Sequence, residues 1–266
     1  MKRMAGRTLM LLLVLTLAAP LLPLGTTARA AKSKATPTPA PLEIAADPVT
    51  PPEQIQHLLE IAYADWQDAD GKTQGDVTTR NGKKSVKNKY TQWRNDYYWD
   101  SNSWCAGFVT WCMLEAEIPQ VSYKEIKSMP EEAPEAVYSI MDSTPKNLFL
   151  GFQHLHRITR TPQPGFIIMY GEGNNKYVHV GIVYDVNRLA DGVYRLTTLE
   201  GAMGANTVRM FVFDYDMNAT EKKNITQVPE AERTEEETDA FTYALHGKAK
   251  NPWYVVKFMM PWIPEE

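Results

Sequence analysis

The spacing of apolar residues changes three times along this chain. From Leu9 to Leu24 they run almost unbroken. From Glu53 they recur at helical intervals, with Ile55, Leu58, Leu59 and Ala62 on one face and the pattern ending around Trp66. The same interval returns over 103–118, at Phe108, Trp111, Cys112 and Leu114. From Pro162 onward the apolar residues come in short runs broken by Gly, Asn and Asp. These read as strands over 166–170, 177–185, 193–200 and 207–215, with a last one over 253–259. Sequential strands with short turns between them predict an antiparallel meander. The expected fold is therefore α+β, with N-terminal helices packed on an antiparallel sheet.

Between these zones the pattern is weaker. A second helical pattern falls around Ala133–Met141. Residues 216–251 read as an insertion holding a charged helix, roughly Glu230 to Leu245, ended by His246. The basic tract from Arg80 to Lys89 reads as an exposed loop. Asp68 to Asp76 reads as a polar loop, since no glutamate stands where an EF-hand would close. His154 and His156 have neither a cysteine nor a carboxylate pair beside them, so no metal site is expected.

The first thirty residues differ in kind. Lys2, Arg3 and Arg7 precede the apolar run, which ends in Ala28-Arg29-Ala30, a small-x-small cleavage pattern. This is the signature of a secretory signal peptide, a retained anchor being the competing reading. Residues 31–52 are rich in Pro, Ala and Thr and read as an extended linker, leaving 53–266 as the folded domain. Removing residues 1–30 leaves 24 basic against 32 acidic residues, a net charge of −8. That balance argues against nucleic acid as a partner. No second apolar run is long enough to cross a bilayer, so a secreted protein without stable membrane insertion is expected after cleavage.

Charge and cysteine usage then narrow the chemistry. The two cysteines, Cys105 and Cys112, are about 10 Å apart along one helix at 1.5 Å per residue, too far for a disulfide. Cys112 reads as core. Cys105 falls in the first turn, with Ser103 as the expected N-cap. The positive end of the helix dipole favours a thiolate there, and the thiolate is the nucleophile. A cysteine nucleophile needs a base and an orienting partner. His179 is the histidine set inside a strand. Folding the second and third strands about a point between Leu189 and Ala190 sets it directly opposite Glu200, with Cβ atoms about 5 Å apart. A one-residue slip in register would break the pairing.

The motifs WCAGFVTWC, PQPGFIIMY, YVHVGIVYDV and TTLEG, in that order, resemble the CHAP family of cysteine, histidine-dependent amidohydrolases and peptidases, within the NlpC-type papain-like enzymes. The resemblance implies a papain-like fold, with Cys105 as nucleophile, His179 as general base and then acid, and Glu200 as orienter. Trp104, Asn206 and Tyr98 are candidates for substrate binding or oxyanion stabilisation. Two positions depart from the family pattern. Phe166 replaces an acidic residue after the Pro-Gly pair, and Ala202 replaces an Asn after the Glu-Gly pair, whose role is then vacant or passes to Asn206. The implied substrate is bacterial peptidoglycan, cut at the N-acetylmuramoyl-L-alanine amide or in a peptide bridge, without a cofactor. The alternatives are a catalytically weak wall- or partner-binding module and a cysteine peptidase acting on proteins.

Overall fold

The computed structural model describes residues 45–80, 83–92, 103–129, 137–204, 206–233, 242, 247–248 and 250–264. The expected signal peptide, most of the linker, Tyr98, His246 and most of the expected helix over 230–245 lie outside them.

Helix α1 (Glu53–Ala69) buries Ile55, Leu58, Ala62, Asp65 and Ala69, spaced by alternating steps of three and four. It stops at Asp70, whose left-handed backbone (φ 44°) returns its N–H to Trp66 and Gln67. The expected basic loop is instead a hairpin, β1 (Asp76–Arg80) with β2 (Lys83–Lys87), in which Val77 pairs with Val86. Its lysines obscure a strand alternation in the sequence. Helix α2 (Lys89–Gln92) follows, then α3 (Cys105–Glu115).

Strand β3 (Gln120–Ser122) runs parallel to β4 (Ser139–Met141). Between them lies α4 (Tyr123–Ile126), opened by a Ser122–Glu125 capping box. The helix expected around 133–141 is thus a strand at its end, and 133–136 lie outside the described residues. The helix comes later, as α5 (Pro145–His154), where Thr144 accepts from Asn147 N–H and Pro145 occupies the first turn.

The remaining strands are β5 (Ile158–Thr159), β6 (Ile167–Glu172), β7 (Asn175–Ala190), β8 (Val193–Met203), β9 (Thr207–Asp216), β10 (Ile225–Gln227), β11 (Gly247–Lys248) and β12 (Asn251–Met259). The sheet order is β10-β9-β8-β7-β6-β12-β11, with β5 also on β12. The antiparallel meander is β6 to β9. Within the expected insertion, β10 adds an antiparallel strand to β9, and 230–232 form one 3₁₀ turn.

Helix α3 is apolar around nearly its whole circumference and lies against β7 and β8, with Cys105 to Thr110, Cys112 and Met113 buried. Burying one such large side chain stabilises by about 1.5–3 kcal/mol. Close approach is possible because β8 carries Gly201. A Cβ there would lie 2.5 Å from Phe108 Cβ and 2.7 Å from Trp104 Cζ3.

The domain also reaches upstream of α1. The fully buried side chain of Gln163 accepts from Val49 N–H and donates to the carbonyls of Ala45 and Asp47. Arg188 pairs with Asp47 at 2.9 Å. The last eight residues of the expected linker are therefore held on the domain by hydrogen bonds. Their Pro-rich composition hid this.

Candidate active site

The start of α3 and the middle of β7 and β8 bring Cys105, His179 and Glu200 together. Ser103 does not cap the helix. The N-cap position falls on Trp104, with no side-chain cap, and Ser103 Oγ lies 3.5 Å from Cys105 Sγ instead. The hydroxyl therefore serves the thiol rather than the backbone.

His179 Nε2 lies 3.0 Å from Glu200 Oε2. The approach meets an ion-pair distance but not the in-line geometry of a full hydrogen bond, so charge dominates it. The contact forms by a different route from direct opposition. The turn closes beyond the expected point, with Ala190 opposite Val193, and bulges between Val183 and Asp185 and between Arg188 and Ala190 take back only half of that offset, so that Ile182 faces Leu199 and the register stays two residues from direct opposition. One step further, Gly181 stands opposite Glu200 and His179 is diagonal to it. A slip of two keeps every side chain on its face, whereas a slip of one does not. Glu200 reaches His179 across the space that Gly181 leaves, where a Cβ would lie 2.6 Å from Glu200 Cγ and 3.1 Å from Leu199 O. Gly181→Ala is expected to lower turnover by about tenfold to a hundredfold and stability by about 1–3 kcal/mol, through overpacking. Steady-state rates beside a melting curve check this, and unchanged turnover would refute the role given to Gly181.

Glu200 is fully buried and accepts from Tyr170 Oη at 2.6 Å and Thr198 Oγ1 at 2.7 Å. Two hydroxyl donors and one imidazole therefore converge on it, a set that suits a carboxylate. Tyr170 and Thr198 escape the sequence reading. Their signals are the β6–β7 register, which sets Tyr170 against His179, and the i, i+2 spacing from Thr198 to Glu200. Trp253, on β12, is also missed. Its ring centroid lies 5.0 Å from that of His179 and favours a protonated imidazole. Only the folded sheet brings it there.

With Nε2 turned to Glu200, Nδ1 is the ring nitrogen left for the thiol. Cys105 is 1% and His179 4% exposed, so their charges act in low dielectric. Burial alone would push the Cys105 thiol up; the His179 charge and hydrogen bond, helped by Ser103 and the Val180 backbone, bring it below its ordinary value. Burial would likewise push His179 down, but the Cys105 charge and hydrogen bond, then Glu200, hold it above its ordinary value. Both directions favour the thiolate–imidazolium form of the pair.

A pH profile follows from these signs. Alkylation of Cys105 by iodoacetamide is expected to rise with pH through an apparent pKa below the ordinary thiol value. Turnover is expected to fall at high pH as the imidazolium loses its proton, above the ordinary histidine value. In His179→Ala the alkylation transition moves upward, and an unmoved transition refutes the pairing. Cys112, fully buried with its thiol pushed well up by that burial, is expected not to react in the native state.

The other expected site residues are placed differently. Trp104 is buried and stacks on Tyr90, with centroids 4.7 Å apart, so its indole packs instead of forming an open platform. Tyr90 in turn donates to Asp65. Asn206 lies in the β8–β9 turn, where its backbone carbonyl accepts from Gln74 N–H. Ala202 has φ 63° in this region, a left-handed conformation that Asn tolerates better. Phe166 is fully buried against Trp262, as an apolar residue at that position requires. An open cavity of about 490 Å³ lies between α1 and β7, lined by Leu59, Tyr63 and Tyr184 among others, and does not include the triad. Among the described residues no cluster of three or more His, Cys, Asp or Glu is placed to hold a metal ion, and no helix is long and apolar enough to cross a membrane.

Fold and site together define an α+β domain that gathers a thiol, an imidazole and a carboxylate at one helix start and two neighbouring strands. Residues 96–202 match the CHAP domain, a stretch that takes in Cys105, His179 and Glu200. No curated protein and no solved structure matches the chain.

Proposed function

We propose that this protein is a secreted bacterial peptidoglycan hydrolase that cuts an amide bond by a Cys-His-Glu thiol mechanism on a papain-like scaffold. The bond is the N-acetylmuramoyl-L-alanine amide or one in a peptide bridge. The CHAP domain supports the reaction class. The observation that carries the mechanism is the buried Cys105–His179 pair backed by Glu200.

In this reading the Cys105 thiolate attacks the amide carbonyl, and backbone donors at the start of α3, the Cys105 N–H among them, hold the oxyanion. Imidazolium His179 gives its proton to the leaving amine as the C–N bond breaks. The neutral imidazole then takes a proton from water, whose oxygen attacks the thioester, releasing the carboxylate product and restoring the thiol pair. Glu200, held by Tyr170 and Thr198, fixes the ring that performs both transfers.

The test is release of new amino groups from purified cell walls by the mature chain, with fragment masses identifying the bond. Release that is lost after stoichiometric alkylation supports the proposal. No release from walls of several chemotypes, with slow alkylation of Cys105 at neutral pH, overturns it.

A further inference from the structure

We propose that Arg209 is a specificity residue that binds a carboxylate of the stem peptide beside the catalytic carboxylate; this rests on the peptidoglycan reading above. Every other arginine whose side chain is described meets an oxygen acceptor. Arg157 and Arg233 reach backbone carbonyls, as does Arg160, while Arg188 and Arg195 reach aspartates. Arg209 has no acceptor among the described residues, and its Nε is buried. A buried donor left unsatisfied is costly, and an incoming oxygen would recover that cost.

Its place in the sheet gives that donor a use. Arg209 on β9 is the direct register partner of Glu200 on β8, so both side chains leave the same face. Opposed Glu and Arg would ordinarily pair. Here Glu200 leans the other way, over Gly181 to His179, Tyr170 and Thr198, and the guanidinium is left over. Arg209 lies instead against the β8–β9 turn. A Cβ at Gly204 would stand 3.2 Å from its Nε and 3.4 Å from its Nη2. Two non-glycine residues flanking Gly204 are left-handed, Ala202 at φ 63° in the irregular end of β8 and Asn206 at φ 61° in the turn. The Asn206 carbonyl is fixed by Gln74 N–H at 2.8 Å.

The chemistry selects the ligand. A planar guanidinium fork matches a carboxylate with two parallel hydrogen bonds. Stem peptides carry carboxylates, and a mature chain of net charge −8 would repel them without a local cation. Arg209 is one strand away from the residue that orients His179, so a carboxylate held there would set the register of the peptide over the thiol.

The test uses two probes, a disaccharide-tetrapeptide muropeptide and the same molecule with its carboxylates converted to carboxamides. Binding is measured by calorimetry to the Cys105→Ala protein, which does not consume them, with Arg209 present or changed to Gln or Lys. The free acid is expected to bind roughly tenfold to a hundredfold more tightly than the amide when Arg209 is present. Arg209→Gln removes that difference while leaving the affinity for the amide unchanged, and Arg209→Lys restores part of it. Equal affinity for the two probes with Arg209 present overturns the proposal, whether or not the Gln variant folds. Equal loss for both probes in a Gln variant of unchanged melting temperature overturns it too, as does absence of binding by either. Discrimination between the probes by a protein whose wild type releases nothing from walls would overturn the hydrolase reading and leave the carboxylate site standing.

Discussion

Cys105→Ala is expected to abolish release of amino groups from cell walls, with a fall in turnover of about 10⁴–10⁶. The size follows from the role of the sulfur as the attacking atom. The only other thiol, Cys112, is seven residues along the same helix, fully buried, and held in the protonated form by that burial. It cannot substitute. The fold is expected to survive, because α3 is held by Phe108, Val109 and Met113 and by the packing of Trp104 on Gly201, none of which involves the sulfur. Removing the thiolate also removes the largest influence raising His179, so the imidazole of the variant titrates lower than in the wild type. Histidine chemical shifts followed against pH read this separately from turnover. Cys112→Ala is the matched control, with a lower melting temperature from the cavity and turnover retained. Retained release in Cys105→Ala would overturn the assignment of the nucleophile.

Glu200→Gln is expected to lower turnover by about 10²–10⁴ with a smaller effect on substrate affinity. In serine peptidases the equivalent acid-to-amide change costs about 10⁴, through loss of the correct imidazole tautomer. Here the damage has two parts. The amide cannot balance the imidazolium, so the thiolate pair is weakened. Its NH₂ also turns a donor either toward Tyr170 and Thr198, which already donate to this position, or toward the imidazolium of His179, leaving a buried donor without an acceptor. Tyr170→Phe removes one donor without changing charge, and is expected to cost only about tenfold. The comparison separates charge from orientation: equal losses in the two variants would mean that orientation alone matters. A lowered melting temperature in Glu200→Gln, with turnover kept near wild type, would remove Glu200 from the mechanism.

How much of this was legible in the sequence depends on which signals are local. The α3 helix and the β6–β9 meander are written as periodicities of three to four and of two, and periodicity survives folding. Cys105 at a helix start and His179 in a strand follow from the same reading. The proximity of His179 and Glu200 was also legible, since both face the same side of the sheet, but the register was not. The turn falls later than the expected centre, two bulges recover only half of the offset, and nothing in 183–190 announces them. The β1–β2 hairpin was masked by charge, because Lys83, Lys84 and Lys87 outweigh the alternation of Val77 and Val86. Ser103 has the composition of a cap and the position of one, and only the helix start at Cys105 shows that its hydroxyl is turned to sulfur. Trp253 arrives from about 75 residues downstream of His179 to sit beside it. That placement depends on β12 closing against β6, a pairing between distant segments that no local pattern encodes.

The two glycines that make room at the site bear on how related chains can be recognised. Gly181 and Gly201 contribute no atoms to the chemistry, yet a methyl at either would collide with Glu200 or with the base of α3. The spelling of a working site is therefore not the three reactive letters alone but His-x-Gly on one strand followed by Glu-Gly on the next. A genome scan keyed to cysteine, histidine and glutamate admits chains in which a larger residue fills one of these gaps and the three groups never meet. Requiring both small positions would separate chains able to assemble the site from those that have only kept its vocabulary.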